Sequence, residues 1–286
     1  MSTAPQPAPL VVKIGGAAGV DLENVCADVA ELRQRGERVV VVNGGSEAGD
    51  SLLASLGMER TEALTASGNV VRLTNEATLR VLTMAWVGDV NKRAVLALLS
   101  RGVPAMGMCG ADGRVLVARR RPPLKIQDGT RTRIDRTHLA GEMTEVNTRL
   151  LGVLMDAGQT PVVCPPAVTE DGVLVNVDAD QVAAAIAAAL GARTLVMLSN
   201  VAGLLEDPAD PTSLIRESDD VERVMGFARG RMRYKLEAAR RALAGGVRSA
   251  YITASAAPRP VLSALAGEAG TRLTSAAATK VADAGA

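Results

Sequence analysis

Six short apolar runs punctuate the chain: Leu10–Ile14 (LVVKI), Arg38–Val42 (RVVVV), Val103–Met108, Pro161–Cys164, Arg193–Leu198 (RTLVML) and Arg248–Ile252. All six are predicted as strands, and Leu10–Ile14, Arg38–Val42 and Arg193–Leu198 show so little polar alternation that they predict strands buried on both faces, as in a parallel sheet. Between them the apolar spacing turns helical. Residues 21–35 open on Asp21 as a cap. Further helices are predicted near 47–57, as a pair across 74–102 broken near Gly88, and over 144–157, 178–190 and 231–244, the last stopping at Gly245-Gly246. Strand–helix alternation of this kind predicts an α/β fold, a three-layer αβα sandwich with a mainly parallel central sheet. Residues 113–138 break the pattern. Their short alternating runs, Pro122-Pro123 and Asp128-Gly129 predict antiparallel hairpins projecting from the sheet. A soft boundary near 170 separates a first lobe (9–170) from a second (171–275). The Pro-rich residues 1–8 and the small, polar residues 276–286 predict disordered ends.

Composition narrows the function classes. With aromatics at 1%, the core must be built from aliphatic side chains. Basic residues number 32 and acidic residues 31, where a generic nucleic-acid binder carries a basic excess. Cys26, Cys109 and Cys164 form no CxxC pair, and the chain has one His, so no zinc signature and no disulfide framework is expected. The segment MSTAPQPAP lacks the basic and apolar regions of a signal peptide, and no apolar run reaches membrane-spanning length. The expected compartment is the cytoplasm. Lysine is scarce (Lys13, Lys92, Lys125, Lys235 and Lys280), which makes each one easier to weigh.

Lys13 sits in an apolar strand two residues before Gly15-Gly16. A lysine there is costly to bury unless it is paired, and parallel strands deliver their C-terminal ends to a ligand crevice. Glycines let backbone N–H groups approach phosphate oxygens, and the following helix adds its positive end. Asn43-Gly44-Gly45-Ser46 repeats the device after the next strand, and two such elbows side by side make a concave set of donors. Tight turns alone would explain each pair singly; the repetition favours a phosphate or oxyanion site. No Walker A motif or protein-kinase signature set is present, so phosphoryl transfer would need another scaffold. In Asn176-Val-Asp178-Ala-Asp180, Asp178 suits a helix cap, while Asp180 falls in the first turn, placed to hold two ammonium groups apart. Lys235 lies in a helix opened by Gly230-Arg231-Met232 and would ordinarily be read as a solvated lysine.

Taken together, these elements resemble the amino acid kinase family, the fold of acetylglutamate kinase. Within it they most resemble the kinases of the amino-group carrier protein pathway, of the [LysW]-aminoadipate and [LysW]-glutamate type. The similarity spans about residues 10 to 274. It rests on Val12-Lys13-Ile14-Gly15-Gly16, Asn43-Gly44-Gly45-Ser46, Ser67-Gly68 with Arg72-Leu73-Thr74, Val90-Asn91-Lys92-Arg93, Glu145-Val146-Asn147, Pro165-Pro166-Ala167, Asn176 with Asp178 and Asp180, Leu198-Ser199-Asn200-Val201 with Gly203-Leu204, and Gly230-Arg231-Met232 with Lys235. Each is weak alone, but the order and spacing are specific. Many members carry His where this chain has Asn43, and the wording of His138-Leu-Ala-Gly141 departs from the carrier kinases.

The resemblance implies an ATP- and Mg²⁺-dependent phosphotransferase that converts a carboxylate to an acyl phosphate, with Mg²⁺ held by the nucleotide. Lys13 and Lys235 would neutralise the transferring phosphoryl group and Asp180 would orient both. Gly15, Gly16, Gly44 and Gly45 would offer N–H donors. Arg72 would clamp the acceptor's α-carboxylate and Asn176 would bind the acceptor. Asn200, Gly203, Leu204, Gly230, Arg231 and Met232 would border the nucleotide. The first lobe would bind the acceptor and, through residues 74–86, a second copy in a homodimer; the second lobe would bind the nucleotide. A carboxylate acceptor is already ionised at pH 7, so no general base is required, and His138 needs no chemical role. The basic side chains of the projecting hairpin, among them Arg119, Arg120, Arg121, Lys125, Arg131 and Arg133, would either be simply solvated or steer a small acidic carrier protein bearing the substrate. Two other readings stay open: a kinase of free N-acetylglutamate and a catalytically silent nucleotide-binding sensor. Retention of Lys13, Asp180 and Lys235 together speaks against the sensor.

Overall fold

The computed structural model describes residues 7–16, 20–66, 68, 70–128 and 131–275. Apart from Pro7 and Ala8, the ends expected to be disordered lie outside these residues, as does Ser67. An eight-stranded sheet runs through the molecule in the order Glu217–Ser218, Thr271–Thr274, Ser249–Ala254, Thr194–Ser199, Leu10–Ile14, Val39–Asn43, Thr160–Cys164, Ala105–Cys109. The six strands from Ser249–Ala254 to Ala105–Cys109 are parallel; Thr271–Thr274 joins antiparallel to Ser249–Ala254. Alternate residues of the central strands enter opposite core layers, as the two-residue period of a strand requires. Val11, Val40, Val42, Leu195 and Met197 pack with helices Ala179–Ala189 and Arg231–Ala244; Val12, Ile14, Val41, Val196 and Leu198 pack with helices Leu22–Gln34, Asn91–Leu99 and Pro260–Leu265. This is the three-layer αβα arrangement. The sheet continues across residue 170, because Leu10–Ile14 is paired on one side with Val39–Asn43 and on the other with Thr194–Ser199.

Several elements depart from the sequence reading. The pair of helices expected across 74–102 is not broken at Gly88: a π-helical segment, Met84–Val90, joins Glu76–Thr83 to Asn91–Leu99 without interruption. The helix expected from 144 starts at Thr148, because Asn147 caps it by accepting the Leu150 N–H at 3.0 Å. The residues before it, Gly141–Val146, form a strand antiparallel to Leu116–Arg120. The projecting region is therefore nested: this outer strand pair carries an inner hairpin, Leu124–Asp128 with Arg131–Asp135. Helix Pro260–Leu265 and strand Thr271–Thr274 had no counterpart in the sequence pattern. The apolar positions proposed for a dimer face are largely used within the chain, with Leu79, Val81, Leu82, Ala85 and Trp86 buried against helix Ser46–Ser55. Nearby apolar side chains that stay exposed are Met84, Leu96, Leu99 and Met106.

Candidate active site

Three buried ionic side chains meet at the C-terminal ends of the central strands. Lys13, Asp180 and Lys235 are only 5%, 7% and 8% exposed. Lys13 Nζ lies 2.7 Å from Asp180 Oδ1, and Lys235 Nζ lies 3.2 and 3.1 Å from its two carboxylate oxygens. Each is delivered by a separate element. Lys13 lies near the end of the central strand Leu10–Ile14. Asp180 sits in the first turn of helix Ala179–Ala189, whose N-cap is Asp178, accepting the N–H groups of Asp180 and Gln181 at 2.9 and 3.1 Å. Lys235 lies one turn inside helix Arg231–Ala244. Burial pushes the Asp180 carboxyl up, but the charges and hydrogen bonds of Lys13 and Lys235 outweigh it and hold the group below the ordinary carboxylate range. Burial and the Lys13 charge pull Lys235 below its ordinary value, against Asp180. Two cations share one anion, so the triad carries a net positive charge suited to a phosphoryl group.

The two glycine elbows touch. A Cβ on Gly16 would sit 2.3 Å from the Gly45 nitrogen and 2.7 Å from that of Ser46, which leaves no room for any side chain there. Ser46 Oγ and the Glu47 N–H donate to the Gly16 carbonyl at 2.8 and 2.9 Å, tying the second elbow to the first. Gly44 departs from its expected part: its N–H donates to the Ile14 carbonyl at 3.1 Å and continues the strand ladder. Among the described residues no bond is made by the N–H groups of Gly15, Gly16, Gly45 or Ser46.

Around this centre the other predicted residues separate by role. Arg72 is half-buried in a small antiparallel pair, Glu62–Leu64 with Val70–Arg72, and is ion-paired to Asp50, which also pairs with Arg60 at 2.8 Å. Burial lowers the Arg72 pKa, opposed by Asp50 and reinforced by the charges of Arg60 and Arg231, so a residue from the second lobe bears on the expected clamp. Asn176 Nδ2 reaches Thr74 Oγ1 at 3.4 Å. Gly230 takes φ +51°, ψ −127° at the start of the helix carrying Lys235, a conformation suited to glycine. Arg231 and Asn200 are exposed, and Met232 is half-buried against the core. Gly203 closely approaches Thr271. The Leu204 side chain is core, and its N–H donates to Thr271 Oγ1 at 2.8 Å, which fixes the loop at this point.

In the projecting region Arg119 pairs with Glu142 at 3.2 Å, Arg120 donates to the Arg136 carbonyl at 2.8 Å, and Arg121 reaches the Gly141 carbonyl at 3.4 Å. Lys125, Arg131 and Arg133 lie exposed on the inner hairpin, which bonds to the strand pair carrying Arg72 through Ala66 N–H to the Lys125 carbonyl at 3.0 Å. Asp135 accepts from Thr137 and His138; burial pushes its carboxyl up, but these bonds and the nearby Arg133 charge hold it below the ordinary range.

Sequence reasoning missed a structural role for His138. Its Nδ1 accepts the Thr74 N–H at 3.1 Å, which requires a neutral ring protonated on Nε2. Burial holds its pKa below 6.5; Asp135 opposes this and the charges of Arg121 and Arg120 add to it. The unfolded chain therefore takes up this proton at a higher pH than the folded one. The stability contributed is full above pH about 6.5 and falls as pH drops toward the lowered pKa. Melting temperatures measured from neutral pH downward should show this loss in wild type and a shallower one in His138→Asn, whose amide oxygen can still accept from Thr74. Parallel curves would assign the loss to other groups.

The sequence model described as the amino acid kinase family matches residues 8–254. A [LysW]-aminoadipate kinase of Deinococcus radiodurans is 40% identical over 91% of this chain and 89% of its own length, and one of Thermus thermophilus is 38% identical over 91% and 98%. An acetylglutamate kinase of Methanopyrus kandleri is 37% identical over 85% and 94%. Among solved structures, an N-acetylglutamate synthase of Neisseria gonorrhoeae superimposes with a TM-score of 0.74 at 27% identity, covering 93% of this chain and 59% of that one. A carbamate kinase of Giardia shares the fold with a TM-score of 0.65 at 16% identity, covering 94% of this chain and 99% of that one.

Proposed function

The chain belongs to the amino acid kinase family and is a phosphotransferase acting on a carboxyl group with ATP as co-substrate; from that premise we propose that its acceptor is the side-chain carboxylate of an aminoadipate- or glutamate-type amino acid held through its amino group on a small acidic carrier protein. The observation that carries the chemistry is the Lys13–Asp180–Lys235 triad beside two touching glycine elbows. The acceptor carboxylate attacks the γ-phosphorus, the bond to the leaving ADP oxygen breaks, and Lys13 and Lys235 neutralise the oxygens between them. Gly15, Gly16 and Gly45 add N–H donors aimed at the same charge. Both oxygens of Asp180 are held by the lysines, a donor set that fits Mg²⁺ carried on the nucleotide phosphates, where it would add charge neutralisation. Asn200, Arg231 and the Gly230 turn border the nucleotide in this reading.

What supports a carrier is the exposed Lys125, Arg131 and Arg133 on a hairpin bonded to the strand pair of the Arg72 clamp. A partner drawn to these charges would deliver its terminal residue close to Arg72. An acetylglutamate kinase at 37% identity keeps free N-acetylglutamate as the second reading. The two are separated by measuring kcat/KM for the amino acid presented on a carrier ending in Glu and for N-acetylglutamate. The carrier reading expects the first to be larger; the reverse order would discard it. In either case Arg72→Ala should raise the acceptor KM by about tenfold or more while leaving that for ATP nearly unchanged, because it removes a charge-assisted clamp. Equal effects on both would make Arg72 a structural partner of Asp50.

A further inference from the structure

The π-helical segment Met84–Val90 lies beside the second glycine elbow, and two side chains, one from within it and one from the residue that follows, grip that elbow. The indole N–H of Trp86 donates to the Gly45 carbonyl at 2.9 Å. Asn91, fully buried, donates through Nδ2 to Asn43 Oδ1 and to the Val162 carbonyl, both at 2.9 Å. The backbone links the same two residues, since the Asn91 N–H donates to the Trp86 carbonyl. In an α-helix, residues five apart point about 140° away from each other. An i→i+5 turn stacks them on one face instead. The extra residue in this turn is what lets Trp86 and Asn91 hold Asn43 and Gly45 together. Such turns occur often at functional sites, and this one has a mechanical reason.

We propose that Trp86 and Asn91 are positioning residues for phosphoryl transfer, which fix the Asn43-Gly44-Gly45-Ser46 elbow so that its Gly45 and Ser46 N–H groups face the transferring group. The inference rests on the functional reading above. A peptide group is planar and trans, so its carbonyl and N–H point in opposite directions. The Gly45 carbonyl is held by the Trp86 indole and by the Gly49 N–H, each at 2.9 Å. The Ser46 N–H of the same peptide is thereby turned away from the indole, toward Gly16. The ring fits only because Gly45 and Gly49 lack side chains: a Cβ on Gly45 would lie 2.4 Å from Trp86 Cδ1, and one on Gly49 3.2 Å from its Nε1. Asn91 anchors the other end of the elbow to the neighbouring strand. Its side-chain oxygen Oδ1 accepts from Lys92 Nζ at 3.2 Å and would lie 2.1 Å from a Cβ on Gly107, so the edge strand closes over it. Neither side chain needs to touch the acceptor or the nucleotide. Trp86 acts through the Gly45 carbonyl it holds, and Asn91 through the Asn43 side chain, whose own Nδ2 donates to the Gly44 carbonyl at 3.3 Å.

Trp86→Phe keeps an aromatic ring and removes the donor. It should lower kcat about tenfold while both KM values stay within about twofold, since misaligned donors act mainly on the transition state. Deleting Gly88 should convert the turn to an ordinary helix, rotate Asn91 away from Asn43 by about 100° and reproduce the kcat loss of Asn91→Ala. An unchanged kcat in Trp86→Phe, or a raised acceptor KM with kcat intact, would overturn the positioning role. If the wild-type protein made no acyl phosphate from any acceptor, the functional reading would fail by itself. The clamp would then be read by amide hydrogen exchange in the folded protein. Trp86→Phe should speed exchange at residues 43–49 several-fold and leave helix Ala179–Ala189 unchanged; equal exchange in the two proteins would sink the clamp.

Discussion

Lys235→Met and Lys13→Met are each expected to lower kcat by about 100-fold or more, with the acceptor KM little changed. Preorganised positive groups aimed at the charge that develops on the phosphoryl oxygens supply much of the rate enhancement in such reactions, and losing a single donor has effects of that order. Methionine keeps the length of the stem and removes only the ammonium. The triad also bears on stability. Each substitution leaves Asp180 with one lysine, so the carboxylate stays paired and the chain should still fold. Asp180→Asn has the opposite character: it leaves two buried ammonium groups facing each other, and breaking a buried pair in this way costs about 3–5 kcal/mol. Asp180→Asn should therefore melt well below either lysine variant, and Mg-ATP should restore more of its loss, because nucleotide phosphates supply the missing negative charge. Wild-type turnover in either lysine variant would remove the triad from the chemistry.

The second large effect concerns the partner. Charge reversal at Lys125, Arg131 and Arg133 is expected to lower kcat/KM on carrier-borne substrate by about 10- to 100-fold, chiefly through slower association. These three are better targets than Arg119, Arg120 and Arg121, because Arg120 and Arg121 hold backbone carbonyls of the neighbouring segments and Arg119 is paired with Glu142. Reversing them would disturb the ribbon as well as its charge. Exposed charges are screened over about 8–10 Å at physiological salt, so wild-type kcat/KM should fall as salt rises and the variant should lose most of that dependence. A free acceptor should be affected little. Normal activity of the triple variant on a carrier at low salt would leave the hairpin as a solvated surface.

The central parallel strands were legible because fully covered parallel strands leave unbroken apolar runs such as Val39–Val42. Lys13 stood out because a charged position inside such a run needs an explanation, and the two Gly-Gly pairs because they close adjacent runs in the same way. The pairing of Lys235 with Asp180 was expected only through the family resemblance, since nothing local in Arg231–Lys235 says that Lys235 is buried against a carboxylate 55 positions earlier. The start of helix Thr148–Asp156 was misplaced because Asn147 was read as a family element and not as a cap. Gly88 was read as a break because glycine weakens helices, whereas here it lies within a π-turn that no simple period reveals. The lone Trp in a chain with almost no aromatics was the available signal for that turn, and Asn91 was visible only as part of a motif. The Asp50 pairing of Arg72 depends on a small strand pair too short to announce itself by pattern.

The central claim, that the triad and elbows transfer phosphoryl from ATP to a carboxylate, is tested most directly by trapping the product. The purified protein is given Mg-ATP and hydroxylamine with aminoadipate or glutamate on a small acidic carrier, with N-acetylglutamate, and with no acceptor. The account predicts hydroxamate that depends on an acceptor, matches the ADP released, and disappears in Lys235→Met. Binding of ATP without acceptor-dependent hydroxamate from any of these would contradict it and leave a nucleotide-binding sensor on a kinase fold.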